Sequence, residues 1–334
     1  VRKAPVPVVC VGNITAGGTG KTPFVIHFCR RLRAEGIRCG VVSRGYGRQS
    51  RGPVVVSDGR TVCAGVRQGG DEPVVIARSL PGVPVVVDED RGRGVLTAVE
   101  RFGAELIVLD DGFQHRRLFR DQDVVLVPAE HAARSPHLLP AGPLREPMSS
   151  LRRADLIVVT KGTGWDEQEA GMAELRKRFR SKEVIGVRFR LAALIDGVSG
   201  ERLSADRVSH KRIVAVSGIA DPAAFEMSLR EMGFDVAGHV ARPDHAWYRQ
   251  EDWEEALRLC RATGSDAVVT TEKDLVRLRE IGSVSDLPAE HPRLFAAELE
   301  AVWQGEDPLG GLLARVRSLV EDARRQFRDG EGQT

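Results

Sequence analysis

Cysteine is scarce in this chain and nowhere paired: Cys10, Cys29, Cys39, Cys63 and Cys260 are odd in number, widely spaced and lack a Cys-x-x-Cys pair. That pattern excludes a disulfide scaffold and a structural zinc site, and points to a reducing compartment. Long apolar runs are missing as well. None approaches the ~18 residues that a membrane-crossing helix needs. The first apolar stretch, residues 7–11, leads straight into a glycine-rich loop, unlike a signal peptide. Charge of one sign is not in excess either. Lys and Arg number 49 against 47 Asp and Glu, and a net charge of +2 argues against nucleic acid as a partner. Arginine clusters at Arg30-Arg31-Arg33, Arg116-Arg117-Arg120 and Arg152-Arg153 read as solvated faces. No internal repeat or low-complexity tract interrupts the chain.

The 334 residues, 42% hydrophobic and 29% charged, are enough for a folded protein of two domains. Short β-branched runs alternate with helix-length segments through the first half. Strands are expected at 7–11, 39–43, 84–87, 106–109, 123–127 and 156–159, and a helix over 21–35. Continuous apolar strands separated by helices indicate a mostly parallel sheet with helices on both faces. A second block follows, with strands at 213–217 and 266–271. Asp221-Pro222 opens a helix there, with the aspartate as N-cap and the proline at the first position. The expected layout is a first domain over 1–183, an extended connector over 184–204 and a smaller α/β lobe over 205–293. A return strand and C-terminal helix over 294–334 complete it. The fold class expected is α/β with a smaller α/β lobe, and the run Gly17-Gly18-Thr19-Gly20-Lys21-Thr22 after the first strand makes it P-loop NTPase-like.

The strongest local signal is Val9-Cys10-Val11-Gly12-Asn13-Ile14-Thr15-Ala16-Gly17-Gly18-Thr19-Gly20-Lys21-Thr22-Pro23. A strand, then glycines, then Lys-Thr at a helix start folds backbone amides around a polyphosphate. Gly17, Gly18, Thr19 and Gly20 would line the phosphates, Lys21 would reach the outer ones and the Thr22 hydroxyl would ligate Mg²⁺. The general pattern places its first glycine where this chain has Thr15, and Gly17 and Gly18 are expected to supply the freedom instead.

A second signal is Leu106-Ile107-Val108-Leu109-Asp110-Asp111-Gly112-Phe113-Gln114-His115, an apolar strand ending in two acids. Parallel strands deliver their carboxyl ends to the ligand crevice, where a carboxylate can hold Mg²⁺. Adjacent acids on an extended chain face different ways, so one of Asp110 and Asp111 meets metal and the other braces the site. Transfer to an alcohol also needs a base. Three acidic segments stand open for that role: Gly70-Asp71-Glu72-Pro73, Asp88-Glu89-Asp90-Arg91, and Glu146 within Leu138-Leu139-Pro140-Ala141-Gly142-Pro143-Leu144-Arg145-Glu146-Pro147.

Segment by segment, from about residue 7 to 276, the chain resembles the tetraacyldisaccharide 4'-kinases. The resemblance rests on the Val-Gly-Asn-Ile-Thr-x-Gly-Gly-Thr-Gly-Lys-Thr-Pro loop, Ser43-Arg44-Gly45-Tyr46-Gly47, Gly70-Asp71-Glu72-Pro73, Asp90-Arg91 and Asp110 through His115. The Leu-Pro-Ala-Gly-Pro-Leu-Arg-Glu-Pro run, Asp244-His245 and Thr271-Glu272-Lys273-Asp274 continue it. Thr15 is itself a trait of that family. The resemblance implies a two-lobed kinase using ATP and Mg²⁺ to phosphorylate the 4'-hydroxyl of an acylated glucosamine disaccharide 1-phosphate. It would work peripherally at the cytoplasmic face of the bacterial inner membrane. By the same resemblance Asp71 is the base, His245 its helper and Arg91 an anion contact, with Gln114 near the nucleotide and Glu146 near the metal. It implies no protein partner. Family members usually carry an apolar, basic helix before the first strand. Only Val1-Arg2-Lys3-Ala4-Pro5-Val6 precede it here, so upstream residues are expected to be missing and membrane binding by the chain as given to be weak.

Two rival readings have distinct signatures. A soluble small-molecule kinase or ligase of the same fold would not require the Leu-Pro-Ala-Gly-Pro-Leu-Arg-Glu-Pro run. A GTP-binding regulatory protein would want Asn-Lys-x-Asp, which neither Thr160-Lys161-Gly162-Thr163 nor Thr271-Glu272-Lys273-Asp274 supplies.

Overall fold

The computed structural model describes residues 1–134, 136–162, 164–204, 208, 212–285 and 292–331. The chain forms two compact units, Val1–Phe189 with Ala301–Thr334, and Arg190–Glu300.

In the first unit the apolar runs become β1 (Val8–Asn13), β2 (Cys39–Ser43), β3 (Val54–Asp58), β4 (Pro84–Val87), β5 (Leu106–Asp110), β6 (Gln122–Pro128), β7 (Leu156–Thr160) and β8 (Glu183–Gly186). They make one eight-stranded sheet in the order β3-β4-β2-β5-β1-β6-β7-β8. All neighbours run parallel except β3, which lies antiparallel to β4 at the edge. Every residue of β1 is buried, because helices cover both faces. Val8 and Cys10 join a cluster with Ile14, Ile107, Leu109 and Phe113, while Val9 and Val11 alternate to the other face and are equally enclosed. Each such side chain contributes roughly 1.5–3 kcal/mol by leaving water. The chain winds to one side of β1 through β2 and β4 and to the other through β6 and β7. The carboxyl ends of β5, β1 and β6 therefore frame the crevice where the winding reverses, the place ligands occupy in open α/β sheets.

The second unit holds a six-stranded sheet ordered β10-β9-β14-β13-β11-β12. Its strands are β9 (Arg188–Asp196), β10 (Arg202–Ser204), β11 (Arg212–Ser217), β12 (Asp235–Ala241), β13 (Ala267–Thr271) and β14 (Arg293–Val302). The helix Pro222–Glu231 starts as its sequence predicts, with the Asp221 side chain accepting the Ala224 amide at 3.0 Å.

Residues 184–204, read from the sequence as a connector, are extended but sheet-forming. β8 closes the edge of the first sheet, and β9 and β10 form an antiparallel pair in the second. Period-two alternation marks half-buried edge strands and exposed connectors alike, so it does not separate them. The lobe boundary expected at 205 falls outside the described residues. The tail folds as the helix Gly310–Glu331, burying Leu312, Leu313, Val316 and Val320. Arg317 and Arg324 tie it to Glu35 and Glu105, each at 2.6 Å. The arginine clusters are not all solvated faces, because acids of other segments reach them. Arg120 meets Asp123 at 2.9 Å with both side chains nearly buried, and Arg31 pairs with Asp307. No helix among the described residues is long and apolar enough to cross a membrane.

Candidate active site

The glycine-rich loop leaves β1 at Asn13 and ends at the helix Lys21–Ala34. Gly17 and Gly20 take left-handed backbone angles, φ 88° and 85°; Gly18, also expected to, does not. Gly20 caps the helix and admits no side chain, since a Cβ there would come 2.8 Å from the Phe189 ring. Thr15 needs no such freedom. It is fully buried and bridges Leu144 in the Pro-Ala-Gly-Pro-Leu run. The Ala16 amide donates to Pro143 O and the Arg145 amide to Ile14 O, each at 2.7 Å. The run thus acts as a backbone splint for the first half of the loop. The second half is pinned by Asn13 Nδ2 donating to Thr19 Oγ1 (3.0 Å) and Thr160 Oγ1 donating to Thr19 O (2.8 Å).

Lys21 and Thr22 are the first two residues of the helix, where the dipole and free amides favour anions. Lys21 Nζ lies 3.5 Å from Asp111 Oδ1. Asp111 has a left-handed backbone, φ 52°. Its other oxygen accepts from Arg145 at 3.1 Å. Burial pushes its proton affinity up, but Lys21 and Arg145 outweigh burial and hold Asp111 below the ordinary carboxylate range.

Asp110 ends β5 and is fully buried. Register explains its place: Val11 lies opposite Asp110 and Val42 opposite Leu109, so β1, β2 and β5 finish together. Ser43 Oγ donates to Asp110 Oδ2 at 3.1 Å, whereas the buried Oδ1 has no hydrogen-bond partner. Burial, then the charges of Glu72 and Asp111, push the Asp110 carboxyl up to about 7. A buried carboxylate oxygen without a donor is a site that suits a hard cation.

Gln114 Nε2 donates to Asn13 O (2.9 Å) and to Glu146 Oε1 (3.1 Å), linking the end of β1 to the Leu-Arg-Glu segment. Glu146 also pairs with Arg153 at 2.9 Å. Among the described residues no three His, Cys, Asp or Glu side chains converge as a metal cage.

Asp71 opens the helix Asp71–Ser79 and is buried, with Oδ1 accepting the Glu72 amide at 2.9 Å. Gly70 before it has φ 88°, and a Cβ there would sit 3.0 Å from Tyr46 O. The loop after β2 and the start of this helix are therefore pressed together. Of the other acids considered, Asp88 is gripped by Arg93 at 2.6 and 2.8 Å. Asp90 caps the next helix through the Gly92 and Arg93 amides. Arg91 is buried, with NH1 donating to Asp88 O at 3.0 Å and Nε without a partner. Burial lowers the proton affinity of its guanidinium, while Asp110 supports the charge.

In the second unit, His245 lies five residues before the helix Gln250–Thr263, in a turn closed by the Ala246 amide on Pro243 O (3.0 Å). Its backbone is left-handed, φ 60°. Ser43, Glu72 and Arg145, which shape the two aspartates, had no role assigned from the sequence. Their one signal was membership of the segments shared with the kinases.

A family model described as tetraacyldisaccharide-1-P 4'-kinase matches residues 1–316. A tetraacyldisaccharide 4'-kinase of Anaeromyxobacter sp. (strain Fw109-5) is 41% identical over 309 residues, covering 92% of this chain and 81% of the relative. The enzyme of the same name from Geobacter metallireducens is 39% identical over 317 residues, 95% of this chain and 90% of the relative. A crystal structure of LpxK from Aquifex aeolicus in complex with ATP matches with a TM-score of 0.74 and 32% identity, covering 95% of this chain and 90% of that one.

Proposed function

This chain belongs to the tetraacyldisaccharide 4'-kinase family, and on that premise we propose how its residues divide the work of the reaction. The protein is an ATP-dependent kinase that phosphorylates the 4'-hydroxyl of a tetraacyldisaccharide 1-phosphate in lipid A biosynthesis. Gly17 through Gly20 wrap their amides around the phosphates of ATP, and Lys21 meets the outer ones. Thr22 and Asp110 would hold Mg²⁺, a cation that takes few protein carboxylates. When bound, the ion would supply charge neutralisation for the transfer. Asp111 keeps Lys21 and Arg145 in place, and Gln114 and Glu146 brace the loop.

Asp71 is the base. As the new bond forms between the 4'-oxygen and the γ-phosphorus, the bond from that phosphorus to the β-γ bridging oxygen breaks. ADP departs, and the hydroxyl proton passes to the Asp71 carboxylate. His245 assists Asp71, and Arg91 meets a substrate anion. The family resemblance implies that the enzyme works peripherally at the cytoplasmic face of the inner membrane.

The observation that carries this reading is the orphaned, buried Asp110 oxygen on the strand beside the phosphate loop. The test supplies labelled ATP or GTP with the acylated disaccharide 1-phosphate and its deacylated form. Transfer from ATP to the acylated sugar alone supports the reading. Equal transfer to the deacylated sugar makes the protein a soluble sugar kinase, and preference for GTP removes the nucleotide assignment.

A further inference from the structure

The segment Thr271-Glu272-Lys273-Asp274 has no part in the reaction as described so far. It follows β13 and opens the helix Glu272–Leu278, with Thr271 Oγ1 accepting the Asp274 amide at 3.0 Å. Asp274 and Arg277 are buried and lie 3.4 Å apart. NH1 of Arg277 donates to Gly218 O (3.4 Å), after β11, and to Ala246 O (3.2 Å), the residue following His245. A neutralised, buried guanidinium thus grips the backbone beside the histidine. Such a grip can sustain the left-handed angle of His245, which costs a non-glycine residue roughly 1–2 kcal/mol.

From the same helix Lys273 Nζ reaches Asp244 Oδ1 at 3.3 Å and His245 Nε2 at 3.2 Å. An ammonium only donates, so Nε2 must be the acceptor, and a neutral imidazole then carries its proton on Nδ1. Asp244 shares the lysine and holds it at Nε2.

We propose that Lys273 is a positioning residue that sets the tautomer of His245, leaving Nδ1–H as the group the histidine presents for reaction. The proposal rests on the reading of His245 as the helper of Asp71, and extends it by naming the nitrogen it presents, which as Nδ1–H donates a hydrogen bond rather than taking up the hydroxyl proton. Asp244 and the Asp274–Arg277 pair hold the lysine and the turn in register.

Two measurements on the full chain test it. Side-chain ¹⁵N spectra at about pH 8, where an ordinary histidine is neutral, are assigned to His245 by the signals lost in His245→Ala. They should show a protonated Nδ1 and a bare Nε2. Lys273→Met should move the population toward Nε2–H, and Lys273→Arg should restore the original tautomer. Kinetically, Lys273→Met should lower kcat about 10-fold while changing KM for ATP less than about twofold, as losing the partner of a functional histidine does. The same change made in His245→Ala should cost less than about twofold. An unaltered tautomer in Lys273→Met overturns the proposal. So does a kcat loss that persists undiminished in the His245→Ala background, since the lysine would then touch nucleotide or lipid itself. If His245→Ala alone leaves kcat unchanged, the helper role of His245 fails, and the spectra by themselves decide whether Lys273 sets the ring.

Discussion

Replacing Asp110 by asparagine should make the ligand-free protein more stable and the enzyme inactive, with the stability gain governed by pH. The carboxyl sits at about 7 in the fold against an ordinary 3.8, chiefly through burial. A raised acid binds more protons folded than unfolded, so its contribution to stability falls as pH rises from about 4 to about 7 and then levels off. At ~1.36 kcal/mol per unit, a displacement of about three units is worth at most ~4 kcal/mol above neutral pH. Asparagine removes that term but brings a buried NH₂ that needs an acceptor, at a cost of about 1–3 kcal/mol. A net gain of ~1–3 kcal/mol remains, or a few degrees in Tm at pH ~8, shrinking to nothing or less near pH ~4. The assay is a series of melts of both proteins across that range, without ligand and with Mg-ATP. Mg-ATP should stabilise the parent and do much less for the variant, because a ligand stabilises only what it binds. No gain at high pH, or an equal gain at low pH, refutes the claim that burial of a charged Asp110 strains the site until a cation arrives.

Three further expectations follow the same geometry. Lys21→Ala and Thr22→Ala should each lower kcat about 100-fold or more in folded protein, since phosphoryl transfer depends on positioning and charge neutralisation; near-normal turnover in steady-state assays removes the phosphate-loop assignment. Asp71→Ala should cut kcat strongly with ATP affinity nearly intact and His245→Ala should cut it less. The double variant should be barely worse than Asp71→Ala, because residues acting as a unit lose activity non-additively; multiplying losses in the cycle would separate the two. Gly70→Ala should destabilise by about 1–3 kcal/mol in urea titrations, through its φ of 88° and the 3.0 Å approach to Tyr46 O, and should lower kcat by displacing Asp71.

Much of this site was readable because its signals are local. The phosphate loop, its Lys-Thr and the cap of the helix Pro222–Glu231 are contiguous stretches whose chemistry is decided by near neighbours. The edges of the two sheets were harder. β8 and β9 show alternation that a solvated connector shares, and only their partners, β7 and β10, make them strands. Arg153 and Gln114 meet Glu146 only through the fold.

By itself the sequence determined the strand order of chemistry along the chain: a phosphate-binding turn, an acid pair closing an apolar strand, and a proline-glycine run between them and the second block. Periodicity and turn chemistry act over a few residues, so they survive reading in one dimension. Tertiary structure decided what each acid is for. Ser43 reaches Asp110 across 67 positions and Arg277 holds Ala246 across 31. The proton affinity of a carboxylate and the tautomer of a histidine are set by burial and by whichever charges the fold brings within a few ångströms, and no local pattern encodes those distances.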